Sequence, residues 1–221
     1  MQGKAKYLRI LNIDPKTYTY WYKRPYISTG PVVSAVQSDG VKRILGTVPV
    51  EADGSVHFYA PSGKALHFQL LDEQFRALQT MRSFTGVMPG EYRGCLGCHE
   101  SHSTAPPADF SAAALTRAPS RITPPPWGED TVSYARYVQP VLDRYCVGCH
   151  DGTDESRPDF ADTSPGAGGF GNSYHALHPY VRRPGPESDL HLFNPMEYHA
   201  STSELIQLLE KGHYGVEMDE D

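Results

Sequence analysis

The pattern Cys-x-x-Cys-His occurs twice in this 221-residue chain, as Cys95-Leu96-Gly97-Cys98-His99 and Cys146-Val147-Gly148-Cys149-His150, and the two copies use all four cysteines. Two thiols three positions apart lie on one face of a helical turn, and the next residue brings an imidazole. This is the attachment pattern of a c-type haem, in which both thiols add to the porphyrin vinyl groups and the histidine binds the iron. The expected cofactors are two covalently bound c-type haems, one held by Cys95, Cys98 and His99 and one by Cys146, Cys149 and His150. Wrapping two macrocycles constrains the fold more than any periodicity in the text.

One tetrahedral zinc site built from both cysteine pairs is the alternative cofactor. The spacing within each pair suits it, but Cys146 follows Cys95 by about fifty positions, against about fifteen to twenty in zinc ribbons. Zinc also gives no reason for a histidine directly after each pair. A thioredoxin-like redox pair needs alternating strands and helices, which neither copy has around it.

Hydrophobic residues make up 39% of the chain, beside 19 prolines and 20 glycines, so turn formers are many and core formers few. A buried macrocycle supplies apolar surface that the side chains do not. The formal charge of −6 argues against a nucleic-acid or anionic-membrane surface. No apolar run approaches the roughly eighteen residues that span a bilayer, so no transmembrane segment is expected in this chain. The first ten residues also lack the apolar stretch of a signal peptide. Covalent c-type haem is attached outside the cytoplasm. An extracytoplasmic location, periplasmic or extracellular, is therefore expected for a mature form or for a piece of a longer protein, truncated at its C-terminus.

The expected class is α+β. Residues 1–104 read as a small antiparallel β-sandwich-like domain ending in the first haem motif, 105–130 as a Pro-rich linker or wrapping loop, and 131–221 as a mainly helical, loop-rich cytochrome c-like domain. Tyr7 to Ile13, Thr17 to Tyr22, Val41 to Val50, Ser55 to Tyr59, Ala65 to Leu71 and Arg76 to Phe84 are rich in β-branched and aromatic residues. Turn signals at Ser38-Asp39-Gly40, Ala52-Asp53-Gly54 and Pro61-Ser62-Gly63 separate them. Val56 and Phe58 should face one way, His57 and Tyr59 the other. A helix is expected from Asp130 or Thr131 into Cys146, with Pro140 kinking it unless it lies in the first turn. A long loop, Asp151 to Tyr198, should drape over the cofactor. The last helix has a capping box at Ser201-Thr202-Ser203-Glu204, an apolar face of Leu205, Ile206, Leu208 and Leu209, and Gly212 as terminator.

His99 and His150 are the proximal ligands by motif, and the sixth ligand decides function: a histidine or methionine makes an electron carrier, an open position permits substrate chemistry. His213 follows the terminating glycine, well downstream of Cys146, and is the expected second ligand of that iron; His199, just ahead of the same helix, is the alternative, and Met196 and Met218 are weaker. For the first iron His57, His67 and Met81 remain open, while His102 lies three residues past His99 on the proximal side.

The text around the motifs resembles a known family. Leu45-Gly46-Thr47-Val48-Pro49-Val50-Glu51, Asp53-Gly54-Ser55, Phe68-Gln69, Leu71-Asp72, Met81-Arg82-Ser83-Phe84 and Pro89-Gly90-Glu91 resemble the middle domain of the hydrazine synthase alpha-subunit family. Tyr137 to Asp143 resembles the cytochrome domain that follows it, a module also seen in planctomycete-type cytochromes. The resemblance implies a β-sandwich-like domain holding a catalytic haem, then a cytochrome c domain holding another. It also implies a tyrosine ligand a few residues after the first motif, where this chain has Glu100-Ser101-His102-Ser103-Thr104.

The function expected first is extracytoplasmic electron transfer by a di-haem c-type cytochrome module, working with a redox partner protein or a larger multihaem complex. The second is a haem oxidoreductase acting on a small nitrogen substrate at the first haem, near His57, His67 or Arg82. The third is a β-domain that docks a partner and carries the haems as accessories.

Overall fold

In the computed structural model, residues 3–14, 41–81, 84–95, 97, 111–183 and 194–219 are described. The expected strand Thr17 to Tyr22 lies outside them, as do Cys98, His99 and His102. Four strands form one antiparallel sheet: β1 (Tyr7–Ile13), β2 (Lys42–Pro49), β3 (Leu66–Leu71) and β4 (Ala77–Thr80), in the order β2-β1-β3-β4. Tyr7 lies opposite Pro49 on one side and Leu71 on the other, so β1 is the central strand.

Ile10, Val48 and Leu66 are the buried centre of the sheet's packed face, and Leu8, Val56, Phe58, Phe68 and Ile122 close over them. Phe58 meets Phe68 edge to face at 6.0 Å, a favoured aromatic geometry. Val56 and Phe58 thus point inward, while Tyr59 is exposed.

A sandwich was expected, and the described residues form a single sheet instead. Ser55 to Tyr59 is not a strand; only Phe58 bridges, in parallel, to Ser120. The second layer is irregular chain drawn from residues 51–60 and 111–123, including a short 3-10 turn at Ala113–Thr116. It is tied down by polar contacts. Asp53 accepts the Ala113 N–H at 2.7 Å, Ser55 Oγ accepts that of Ala114 at 2.9 Å, and Arg117 pairs with Glu51. Thr123 exchanges both backbone hydrogen bonds with Thr47 on the edge strand β2.

That contact requires a glycine. β1 and β2 change register between Ile10 and Leu11, and Gly46, opposite Ile10, has φ of 141°. A Cβ there would stand 2.0 Å from the Thr123 carbonyl oxygen.

In the second half, Tyr134–Val138 is a π-helical turn and α1 runs Gln139–Tyr145. The expected helix therefore begins later than Thr131. Pro140 lies in the first turn of α1, where its missing N–H costs nothing; the Gln139 N–H bonds back to the Tyr134 carbonyl, widening the preceding turn. The long loop also contains a helix, α2 (Asn172–Leu177), too short to show a period. Leu142, Phe160 and Leu177 form a second buried core, with Cys146, Val147 and Leu205 packed against it.

The last helix, α3, spans Glu204–Lys211 and stops at Gly212, whose φ is 93°. Its expected capping box, with Ser201 as cap and Glu204 in the first turn, does not form. The helix starts only at Glu204, and Ser201 lies in a 3-10 turn with its hydroxyl on His199 Nδ1. Ser203 is buried, and its hydroxyl accepts the Arg182 N–H at 3.0 Å instead of capping its own helix. Among the described residues no helix is long and apolar enough to cross a membrane.

Replacing Gly46 by alanine should destabilise the first half by roughly 2–4 kcal/mol, through clash and strain together, read as a lowered denaturation midpoint. Asp53 gives a pH signature. The Ser55 hydroxyl, then the Ala113 and Ser55 N–H groups, hold its carboxylate down to about 2. Its folded value is below the unfolded one of about 3.9, so its contribution is complete above the latter and is lost as pH falls through the former. The Ala113 amide resonance should move in that window, and Asp53→Asn should abolish the movement.

Candidate haem site

The second motif grows directly out of α1. The Leu142 carbonyl accepts the N–H groups of Cys146 (2.8 Å) and Val147 (2.9 Å), and the Cys146 carbonyl accepts those of Cys149 (3.1 Å) and His150 (3.0 Å). The motif is therefore one further helical turn. Cys146 is half-buried and Cys149 exposed, and neither is in a disulfide. Burial pushes the Cys146 thiol up from its ordinary value.

His150 is held from three sides. Its Nδ1–H donates to the Pro158 carbonyl at 2.9 Å, which fixes the tautomer and leaves Nε2 with a free lone pair. Phe160 stacks on the ring with centroids 4.8 Å apart, and the Phe160 N–H donates to the His150 carbonyl at 2.9 Å.

His213 comes to the same place from the C-terminal end. Its ring lies 6.1 Å from that of His150, centroid to centroid, stacked with planes 23° apart. The turn that delivers His213 is built from left-handed residues, Gly212, Tyr214 (φ 50°) and Gly215 (φ 77°), and is closed by the Val216 N–H on the His213 carbonyl at 3.0 Å. Asp219 then pairs with Arg144 at 2.6 Å, returning the tail to the last turn of α1, directly before Cys146.

His199, the alternative ligand, is committed elsewhere. It is 6% exposed, its Nε2–H donates to Asp72 at 3.0 Å, and Nδ1 meets the Ser201 hydroxyl at 2.7 Å. Neither nitrogen is left for a metal. Met196 joins the β4 edge, its N–H on the Leu78 carbonyl.

The first motif is partly described. Cys95 is exposed and free, and Gly97 has φ of 67°. Thr85 pairs with Leu66 through both backbone groups, and Arg93 holds Glu91 and the Thr85 hydroxyl, so the arm to Cys95 is fixed to the sheet. His67 is buried on β3, and His57 Nδ1 is buried with no hydrogen-bond partner among the described residues. Zinc shared by both pairs would require Cys98, outside the described residues. Among the described residues no group of three or more His, Cys, Asp or Glu side chains is placed to hold a metal ion.

Sequence reasoning missed the supports. Pro158, Phe160 and Gln139 sit beside the motif in space, and the only signal in the text was the apolar Phe160 within a polar loop.

The contact between Asp72 and His199 gives a measurable consequence. Burial raises the Asp72 carboxyl, but the N–H of Arg76, the His199 ring and the N–H of Gln74 together bring it below its ordinary value. Asp72→Ala should cost about 1–3 kcal/mol, because the buried His199 Nε2–H loses its partner; paired denaturation of D72A and the double variant with His199→Ala should show the second substitution adding little.

Residues 3–100 match the family model described as the hydrazine synthase alpha subunit middle domain. Among solved structures, Kuenenia stuttgartiensis hydrazine synthase is similar over 86% of this chain at a TM-score of 0.61, with 17% sequence identity. That likeness shows a shared fold, and the chain corresponds to 31% of the length of that structure. A comparison with curated proteins gave no match. Residues 3–100 of this chain are therefore similar to the hydrazine synthase alpha subunit middle domain.

Proposed function

We propose that the chain is a di-haem c-type cytochrome module that transfers electrons outside the cytoplasm. The observation that carries the reading is the pairing of His150 and His213. The two imidazoles lie beside one another next to Cys146 and Cys149, where both would be available to hold a haem iron, and the Pro158 bond leaves the Nε2 of His150 as its donor atom. Cys146 and Cys149 would hold the porphyrin by thioethers, and Phe160, packed among Leu142 and Leu177, would keep water from the proximal side. When bound, the haem would supply one-electron chemistry, with His150 and His213 as the residues that would hold its iron. Cys95, Cys98 and His99 would hold the second such group at the end of the sheet domain. A redox protein or a larger assembly would be the partner, as befits a domain whose family is named for one subunit of an enzyme.

A second reading is favoured by the family match, which runs through the first motif to residue 100. In it the first haem acts on a small nitrogen substrate, and the haem at Cys146 relays electrons to it.

The test is an optical spectrum of the matured protein with and without carbon monoxide, beside a haemochrome count. Two haems per chain are expected, and His213→Ala should make the haem at Cys146 bind carbon monoxide while His199→Ala does not. A spectrum unchanged by H213A would overturn the assignment of His213 as an iron ligand. Carbon monoxide binding by the unaltered chain at the first haem would favour the oxidoreductase.

A further inference from the structure

The core of the second half contains a polar chain that close packing alone does not require. Gln139 is 7% exposed and Ser173 is 1% exposed. Tyr134 OH and Ser173 Oγ are 2.9 Å apart, and Ser173 Oγ donates to Gln139 Oε1 at 2.7 Å. The Gln139 amide nitrogen donates to Asp143 at 2.7 Å and to the Phe160 carbonyl at 2.9 Å. Every hydrogen-bonding group of the glutamine is thereby used, and the network joins the π-helical turn, α1, α2 and the strap that carries Pro158 and Phe160. A buried amide of this kind is costly unless each partner is kept. Its one contact outside the helices is with that strap.

We propose that Gln139 is a positioning residue for the proximal histidine, acting through Phe160. The inference rests on reading Cys146 to His150 as a haem site. The strap from Pro158 to Phe160 makes three contacts with His150: the Pro158 carbonyl on Nδ1–H, the Phe160 N–H on the backbone carbonyl, and the Phe160 ring on the imidazole. Gln139 fixes the far side of the strap, at the Phe160 carbonyl. An acceptor held at Nδ1–H makes the imidazole a stronger donor to the metal and favours the more positive oxidation state. Releasing the strap weakens that bond, so the reduction potential rises. Ser173 acts one step further out, by orienting the amide.

The experiment uses the full chain, matured with haem, with the first motif disabled by Cys95→Ser and Cys98→Ser so that one haem is observed. Reduction potential and solvent exchange of the His150 Nδ1–H are measured in Gln139→Met, Ser173→Ala and Val48→Ala. Q139M should raise the potential and speed the exchange several-fold, and S173A should do the same to a smaller degree. V48A, which thins the separate core of the sheet and touches neither the network nor Phe160, should lower the melting temperature and move neither readout. Loaded Q139M and S173A with unaltered potential and exchange would overturn the inference, as would an equal shift in V48A. A parent chain carrying no haem at Cys146 would overturn the functional reading and this inference with it.

Discussion

A histidine serves as a metal ligand only when one nitrogen keeps its lone pair and the ring is held in place. In this chain the bond from His150 Nδ1–H to the Pro158 carbonyl meets both conditions. It depends on an eight-residue excursion that has no helix or strand to shape it. Aspartates do that work instead. Asp151 and Asp154 within it, and Asp159 and Asp162 just beyond Pro158, each accept an N–H two residues on, and Thr153, Ser156 and Ser164 add their hydroxyls to three of these turns. Such side-chain turns replace the ladder that a loop lacks. The bonds also hold Asp151, Asp154 and Asp162 below the ordinary carboxylate value, with the Ser or Thr hydroxyl as the largest cause in each. A loop rich in polar residues is in this way given one shape, and that shape presents the proline carbonyl.

The two halves of the chain meet at a similarly economical point. Asp72 uses Oδ1 to accept the N–H groups of Gln74 and Arg76, which forms the turn between β3 and β4, and uses Oδ2 to accept from His199. Arg76, positioned by that turn, reaches Glu210 on α3 at 2.7 Å. The exposed ion pair adds little by itself; the buried His199 contact carries the junction. The neighbouring bond from the Met196 N–H to the Leu78 carbonyl covers part of the β4 edge, which would otherwise offer an unpaired strand to other chains. His199 is thus held at this junction through both of its ring nitrogens.

Much of this was legible in the text. The strands over Tyr7 to Ile13, Val41 to Val50 and Ala65 to Leu71 follow from β-branched and aromatic runs between glycine turns, and α3 follows from its leucines and Gly212. The single sheet was not legible, because alternation at Val56 and Phe58 says that a face is buried without saying whether a strand or a coil buries it. The absent capping box has a similar cause: Ser201 has the right chemistry, but it lies in a 3-10 turn and its hydroxyl is taken by His199, while the Ser203 hydroxyl accepts the Arg182 N–H twenty-one positions away. The helix α2 escaped notice because six residues cannot display a helical period.

The sequence by itself set the expectation of the attachment chemistry, since Cys-x-x-Cys-His requires only the geometry of one helical turn, and a turn is a local object. It also pointed to histidines flanking α3 as candidates for a second ligand. The surroundings of His213 and His199 were decided by tertiary structure alone. Which imidazole faces His150 depends on a left-handed turn after Gly212 and on a tail drawn back to Arg144. Which one is spent elsewhere depends on a carboxylate 127 positions away, at Asp72. Contacts at that separation leave no periodic trace in the chain, because they are fixed by packing of whole elements and not by the residues next door.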